Sequence, residues 1–133
     1  SGAYDGLAFH RVIDGFMAQT GDVKFGPVEG YNATYAGRGG SDLPNVPAEI
    51  SDLAYDEGVV GMARGNDLDS ANSQFFIMFT RVASLDGRYT VFGRVIEGMD
   101  IVHGLKRGNE AAGGTVPESP DYVVRAWISA DES

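Results

Sequence analysis

The sequence predicts a mainly β domain in which short antiparallel strands form a barrel or a sandwich and one helix packs against it. Glycine supplies 19 of 133 residues, roughly twice the usual share of about 7%, and this excess favours many tight turns. Short apolar runs alternate with turn residues, whereas only one stretch has helical spacing. The length of 133 residues fits one domain with a real core.

Composition excludes several classes of function. The chain carries 10 Lys and Arg against 19 Asp and Glu, a formal charge of −9, so neither nucleic acid nor a membrane surface is an expected partner. It has no cysteine, which removes disulfides, thiol catalysis and zinc–thiolate sites. No apolar run approaches the roughly 18 residues of a membrane span, and no signal peptide is recognisable.

The first element is a β-hairpin over residues 9–22. Asp14-Gly15 lies between two short apolar runs, and both residues tolerate the positive φ that tight hairpin turns require. The hairpin carries Arg11 and Gln19 among large apolar side chains, which is unusual for a hairpin that only fills a core. A guanidinium and a carboxamide beside apolar walls indicate a pocket for a ligand that is partly apolar and partly peptide-like.

Residues 24–52 lack sustained periodicity and are rich in Gly and Pro. Because about 29 residues exceed an ordinary connection, the stretch is either a functional loop or lid, or a surface excursion held by aromatics such as Tyr31 and Tyr35. Within it, Gly37-Arg38-Gly39-Gly40 lacks the Lys-Ser/Thr of a phosphate-binding loop and is more typical of a turn.

Four more strands are predicted beyond this stretch. Residues 59–63 form a compact apolar run typical of a buried strand. Residues 74–79 are too hydrophobic to face water on either side, which places them in the middle of a sheet. Further strands are predicted over 90–96 and 122–128.

A single helix is predicted over residues 98–108. Its apolar side chains recur at helical spacing, Lys106 and Arg107 occupy the last turn, where cations favour the helix dipole, and Gly108 ends it. Because an isolated helix of this length is marginal in water, packing against the sheet must stabilise it.

Four blocks of sequence carry a family resemblance. They are, in chain order, Phe9-His10-Arg11-Val12-Ile13 with Gly15-Phe16-Met17-Ala18-Gln19-Thr20-Gly21-Asp22, Gly61-Met62-Ala63, Asn72-Ser73-Gln74-Phe75-Phe76-Ile77, and Leu85-Asp86-Gly87-Arg88-Tyr89-Thr90-Val91-Phe92-Gly93-Arg94-Val95 with Gly98-Met99. In this order they resemble the cyclophilins, which are peptidyl-prolyl cis-trans isomerases. The resemblance implies a single cyclophilin-like domain over residues 1–133 and the family's eight-stranded antiparallel barrel, capped by two helices.

The family's first two strands and first helix precede the block that begins near Tyr4, and this chain starts too late to contain them. A barrel without two strands would expose unpaired edges and an open core, so we do not expect residues 1–133 to fold alone. We expect roughly 35 to 40 further residues at the N-terminus, at about 10 per strand plus a helix and turns. A closed barrel formed by this chain alone would contradict this expectation.

The resemblance also implies a catalytic site that needs neither a metal nor a cofactor. Arg11 matches the family's catalytic arginine, and Gln74 matches the residue that orients it. Gln19 and the backbone of Arg64 match groups that hydrogen-bond the main chain of the substrate. The proline pocket and its surroundings correspond to His10, Phe16, Met17, Ala63, Gly65, Phe76, Leu85 and Tyr89.

Strand geometry constrains this assignment. A two-residue turn at Asp14-Gly15 would pair Val12 with Met17, and alternation would then put Arg11 on the opposite face from Met17 and Gln19. The site needs all three side chains on one face. We therefore predict a longer loop or a one-residue bulge that shifts the register by one.

The implied activity is acceleration of rotation about Xaa-Pro peptide bonds, which assists protein folding. The expected partners are proline-containing peptides and unfolded protein clients, and the alternative function is a non-catalytic proline-peptide binding or chaperone module. Ser84 stands where many eukaryotic members carry tryptophan, which predicts weak cyclosporin binding. The long Gly/Pro loop resembles bacterial members, some cytoplasmic and some periplasmic, and the periplasm is favoured.

Without the resemblance, the same residues have simpler interpretations. Arg11 would be a surface arginine on a strand, and Phe16, Met17 and Phe76 would be ordinary core residues. The functional interpretation differs in a testable way, because it predicts that these three apolar side chains are half-exposed.

The sequence offers little support for two other kinds of site. A hydrolase triad would need Ser70 or Ser73 with His10 and Asp86, yet neither serine has the surroundings of a nucleophile elbow. Asp67-Leu68-Asp69 hints at calcium, but the Gly and the distal Glu of an EF-hand loop are missing.

Overall fold

A computed structural model describes residues 2–129 of the chain. Its strands are β1 Arg11–Ile13, β2 Met17–Thr20, β3 Val59–Met62, β4 Phe75–Met78 and β5 Val91–Arg94. They form one antiparallel sheet in the order β1-β2-β4-β3-β5. One helix, α1, covers Met99–His103, and two 3₁₀ turns cover Ala83–Leu85 and Glu110–Ala112. The mainly β prediction is confirmed, while the expectation of further N-terminal strands stays a prediction.

The inner strands agree closely with the sequence patterns. β4 pairs with β2 on one side and with β3 on the other, so the prediction that residues 74–79 lie in the middle of a sheet is confirmed. β3 and β5 lie within the predicted stretches 59–63 and 90–96, and each strand is shorter than its predicted stretch. The pairing of β3 with β5 shifts register between Val60 and Gly61.

The helix is shorter than predicted. It ends at His103 and does not continue to Gly108. Beyond it, tertiary partners take the backbone donors that a longer helix would use: the Lys106 N–H donates to Asp121 Oδ2 at 2.7 Å, and the Gly108 N–H donates to the Val12 carbonyl at 2.7 Å. In the described part of the chain, neither α1 nor any other helix has the length and the apolar run that crossing a bilayer requires.

The strand predicted over residues 122–128 is wrong. This segment makes only an isolated bridge, between Ala8 and Tyr122. Val124 and Ile128 are 79% and 69% exposed. A run of β-prone residues becomes a strand only where a neighbouring segment pairs with it over several residues. The segment near Ala8 pairs with residues 122–128 only through the single bridge to Tyr122.

An apolar cluster packs on each face of the sheet, because successive strand residues point to opposite faces. The first cluster joins the hairpin to α1 and contains Val12, Ala18, Phe79 and Val116, with Phe9, Val102 and Leu105 packed against it. The second cluster is rich in aromatic and sulfur-containing side chains and is built on Met17, Tyr55, Phe76 and Met78. This second face carries the candidate site.

Gly61 of β3 packs directly against the second cluster. A methyl group at this position would lie 2.5 Å from the Tyr55 hydroxyl and 2.7 Å from Phe76 Cζ. We expect Gly61→Ala to lower the free energy of unfolding by about 1–3 kcal/mol, because the Tyr55 and Phe76 rings must move to make room for the methyl group. Gly93→Ala in β5 is the matched control, since a methyl group there meets nothing within 4 Å. Urea unfolding measures both variants, and equal stabilities would contradict this packing.

Candidate active site

A depression of about 170 Å³ opens on the second face of the sheet. It is lined by Arg11, Phe16, Met17, Gln19, Ala63, Arg64, Phe76, Leu85 and Tyr89. These residues come from distant segments of the chain, and all of them were predicted for the site. The other predicted site residues, His10, Gly65 and Gln74, lie outside this lining.

The register of the hairpin explains why the polar and apolar side chains meet. Arg11 pairs with Gln19 and Ile13 pairs with Met17, which leaves residues 14–16 as the loop. Its central glycine has a φ of 71°, a conformation that glycine adopts without strain. The predicted longer loop is therefore confirmed, and Arg11, Met17 and Gln19 share one face of the sheet.

Phe76 supports the apolar wall of the depression. The Tyr55 ring stacks on it, with centroids 5.7 Å apart and planes at 22°, and Tyr89 meets its edge at 5.8 Å and 90°. Met17 and Phe76 are only 2% and 6% exposed, so the prediction of half-exposed side chains is wrong for these two, while Phe16 is partly exposed. Tyr55, a fully buried residue that sequence reasoning did not single out, covers one face of the Phe76 ring.

A chain of polar side chains leads to Arg11. Arg11 Nη1 donates to Gln19 Oε1 at 3.2 Å, and Gln19 Nε2 donates to Gln74 Oε1 at 2.9 Å. Gln74 Nε2 donates in turn to the carbonyls of Gly37 and Gly39, each at 2.9 Å. Gln74 therefore reaches Arg11 through Gln19.

The guanidinium of Arg11 is held in place while part of it stays free. Its Nε donates to the Gly113 carbonyl at 2.8 Å, on the side away from Gln19. Within residues 2–129, its Nη2 has no hydrogen-bond partner and no carboxylate pairs with it. Because arginine stays charged at any ordinary pH, this leaves a permanent donor beside the apolar wall.

Asp22 organises the loop behind the site and was missed by sequence reasoning. It is completely buried. Its Oδ1 accepts from the N–H groups of Lys24 and Phe25 at 3.0 and 2.9 Å, and its Oδ2 accepts from those of Gly37 and Gly39 at 2.8 and 2.9 Å. The carboxylate thus fixes the segment that anchors the polar chain. An Asp between a strand and a turn is a recognisable signal for such bonds.

Arg64 forms the wall between this depression and a second one. Its guanidinium carbon lies 4.5 Å from the centroid of the Tyr89 ring, and it donates to the carbonyls of Arg88 and Gly65 at 2.7 and 2.9 Å. The second hollow has a volume of about 280 Å³. It is lined by Gln19, Gly37, Arg38, Gly39, Ala63, Arg64, Gly65, Ser70, Asn72, Ser73 and Gln74.

His10 lies behind the site. It is 3% exposed, and neither ring nitrogen has a hydrogen-bond partner among residues 2–129. A methyl group on Gly37 would lie 3.0 Å from His10 Nε2, so the ring packs directly against the loop. Burial lowers the pKa of His10, and the nearby Asp22 carboxylate opposes that shift.

Acid should destabilise the fold through His10. The pKa of His10 in the folded state lies below the ordinary 6.5, so the unfolded state binds the proton more readily. The free energy of unfolding therefore falls as the pH drops below about 6.5, by at most about 1.4 kcal/mol per pH unit. We expect His10→Gln to flatten this dependence in urea unfolding between about pH 7 and about pH 5. The hydrogen bond from Arg81 lowers the pKa of Asp86 below 3.8, so protonation of Asp86 reduces stability only at lower pH. An unchanged slope would contradict a neutral, buried His10.

The alternative sites do not assemble. The Oγ atoms of Ser70 and Ser73 each donate to a backbone carbonyl at 2.6 Å, and neither bonds to His10. Asp86 is paired with Arg81 at 2.6 Å. In the described part of the chain, no group of three or more His, Asp and Glu side chains is placed to hold a metal ion.

Comparison with known proteins identifies the family. A family model described as cyclophilin type peptidyl-prolyl cis-trans isomerase/CLD matches residues 1–127. The chain belongs to the cyclophilin family. A Brucella abortus protein named "Probable peptidyl-prolyl cis-trans isomerase" is 55% identical over 131 residues, which cover 98% of this cyclophilin and 66% of the relative. Peptidyl-prolyl cis-trans isomerase 10 of Caenorhabditis elegans is 41% identical over 107 residues, 77% of this chain and 60% of the relative.

Solved cyclophilin structures share the fold. A Hirschia baltica cyclophilin superposes with a TM-score of 0.77 at 27% identity, over 99% of this chain and 62% of that one. A Cryptosporidium parvum cyclophilin type isomerase, crystallised in the presence of the dipeptide Ala-Pro, superposes with a TM-score of 0.71 at 25% identity, over 92% of this chain and 74% of that one. The resemblance drawn from the four sequence blocks is therefore confirmed. The chain spans less than two thirds of the length of the Brucella and Caenorhabditis relatives.

Proposed function

We propose that this cyclophilin is a peptidyl-prolyl cis-trans isomerase, which accelerates rotation about Xaa-Pro peptide bonds. The observation that carries the proposal is a permanent cation in the wall of an apolar hollow, because Arg11 lines the same depression as Phe16, Met17 and Phe76. The apolar walls suit a proline ring, and the guanidinium suits an amide whose conjugation must be broken.

The chemistry requires no covalent intermediate. Rotation about a peptide bond has a barrier of about 18–20 kcal/mol, because the nitrogen lone pair is delocalised into the carbonyl. In the rotated state the nitrogen becomes pyramidal and its lone pair can accept a hydrogen bond. Arg11 would donate that bond, and an interaction made only in the rotated state lowers the barrier. Gln19 and the backbone of Arg64 would hold the main chain on one side while the other side turns.

The relatives support proline-containing peptides as the substrate class. The Brucella and Caenorhabditis relatives are named as peptidyl-prolyl cis-trans isomerases, and the Cryptosporidium structure was determined in the presence of Ala-Pro. We extend the proposal to unfolded protein clients, because unfolded chains contain Xaa-Pro bonds in both isomers that exchange in tens to hundreds of seconds unaided.

A relaxation experiment tests the function. The full-length protein is mixed with a short Xaa-Pro peptide displaced from its cis/trans equilibrium, and the rate constant of relaxation is followed spectroscopically. We expect that rate constant to rise linearly with protein concentration. The refolding phase of a client limited by proline isomerisation should accelerate in parallel. Binding of the peptide without acceleration would overturn the proposal and would support a non-catalytic binding or chaperone module.

Cyclosporin binding should be weak. Ser84 lies exposed in the 3₁₀ turn Ala83–Leu85, directly before the Leu85 that lines the depression. A small hydroxyl offers little contact area to a large apolar ligand. We expect calorimetry to show weak binding and Ser84→Trp to tighten it by about tenfold or more, as an added aromatic anchor does at other interfaces. Tight binding by the unsubstituted protein would contradict this expectation.

A further inference from the structure

The second hollow is positively lined on a negatively charged protein. Arg38 and Arg64 both contribute to its lining, and no carboxylate side chain among residues 2–129 does, although the chain has a formal charge of −9. The other polar side chains of the lining are neutral amides and hydroxyls, which belong to Gln19, Ser70, Asn72, Ser73 and Gln74. Such a set of groups suits an anion that also accepts hydrogen bonds.

We propose that this hollow binds an anionic side chain, a carboxylate or a phosphate ester, located near the proline of the substrate peptide. The inference rests on the proposed function. Gln19, Ala63 and Arg64 line both hollows, so a peptide seated with its proline in the first can extend into the second. Because the two hollows share these lining residues and an extended chain advances about 3.3 Å per residue, we expect the anion within about three positions of the proline.

Both arginines keep their charge at this site. The Arg64 guanidinium donates to the carbonyls of Arg88 and Gly65, and bonds to neutral carbonyls fix its orientation without neutralising it. Arg38 is exposed, and among residues 2–129 it forms no salt bridge. One arginine is therefore held rigidly and the other can move toward a bound anion.

Two acidic residues that follow Arg64 in the sequence, Asp67 and Asp69, accept hydrogen bonds from backbone groups. Asp67 Oδ1 accepts from the Asp69 N–H at 2.9 Å, and Asp69 Oδ1 accepts from the Ala48 N–H at 2.9 Å. Neither carboxylate lines the hollow. The buried Asp22 carboxylate lies behind the lining, where its Oδ2 accepts from the Gly37 and Gly39 N–H groups. Against this one negative charge the lining itself carries two arginines.

The net negative charge of the protein makes a preference for acidic peptides informative. A protein with a formal charge of −9 repels acidic peptides at long range. A preference for an acidic peptide therefore cannot arise from net charge, and it must come from a local site.

A peptide series tests the proposal with the full-length protein. Each peptide carries one Xaa-Pro bond and a single Glu at one of the positions from three before to three after the proline, with Gln peptides as the uncharged set. We expect one position at which Glu lowers KM about threefold to tenfold relative to Gln. Phosphoserine against serine at that position distinguishes the two anions, because a larger ratio than for Glu identifies the phosphate ester as the preferred ligand.

Substitutions assign the effect to the hollow. We expect Arg38→Gln to reduce the ratio of KM values for Gln and Glu peptides, and the combined Arg38→Gln and Arg64→Gln variant to bring it close to one. Taking a ratio within one variant cancels any general loss of activity. Arg94→Gln is the control, because it removes the same charge from β5, where Arg94 lines a different depression, and it should keep the preference.

The outcomes separate this inference from the proposed function. If no peptide is isomerised, the proposed function fails. If Gln peptides are isomerised but no position shows a preference for Glu or phosphoserine, only the anionic hollow is overturned. A preference that persists in the combined variant would also overturn it.

Discussion

Replacing Arg11 with alanine is expected to lower kcat/KM on a short Xaa-Pro peptide by about 100-fold or more, the usual cost of losing a donor that acts in the transition state. Affinity for the peptide should fall only a few-fold, because the apolar walls that hold the proline ring remain. The two quantities are measured separately, by relaxation kinetics and by calorimetric titration of the peptide. Turnover near the unsubstituted level would show that Arg11 is not the catalyst.

Arg107→Ala provides the matched control for this prediction. Arg107 belongs to the same corner of the molecule, since it pairs with Asp14 of the hairpin loop at 2.9 Å and lies 4.3 Å over the Phe79 ring. It does not line the depression, so we expect its loss to leave kcat/KM within about twofold, as for a surface substitution. Arg11→Lys keeps the charge but loses the planar fork, and we expect an intermediate rate.

Asp22→Ala should destabilise the fold more than Gly61→Ala or the loss of any exposed charge. It would leave up to four backbone N–H groups without their acceptor, those of Lys24, Phe25, Gly37 and Gly39. With each unsatisfied donor costing about 1–3 kcal/mol, we expect the free energy of unfolding to fall by about 3 kcal/mol or more. Urea unfolding measures the loss, and hydrogen exchange at the two glycine amides shows whether the loop opens.

Two further variants sharpen this test. Asp22→Asn keeps the shape but turns an amide N–H₂ toward backbone donors, so we expect it to remain destabilising. Asp42→Ala removes an exposed carboxylate from the same loop and should change stability by less than about 0.5 kcal/mol. Equal effects of Asp22→Ala and Asp42→Ala would show that the buried carboxylate does not hold the loop.

Much of the site could be predicted because it depends on local chemistry. Asp14-Gly15 predicts a hairpin from the turn alone, and the need for Arg11 and Gln19 on one face corrects its register. The apolar run at 74–79 needs two strand neighbours and has them in β2 and β3. In each case the side-chain pattern and the position in the sheet require the same arrangement.

The errors occur where distant segments decide the outcome. The helix over 98–108 stops early because Val12 and Asp121 take backbone donors that a longer helix would use, and the 122–128 run finds only a short partner near Ala8. Tyr55 lies far in sequence from Phe76, on which it stacks, so no local sequence pattern predicts this contact. Such contacts depend on tertiary packing, which overrides strand propensity.

Exchange spectroscopy on a bound peptide tests the role of Arg11 most directly. With the full-length protein saturated by an Xaa-Pro peptide, nuclear magnetic resonance measures the rate at which the bound cis and trans forms interconvert. We predict that Arg11→Ala leaves both forms bound and slows their exchange by about 100-fold or more. Unchanged exchange between the bound forms in that variant would contradict a catalytic role for the guanidinium.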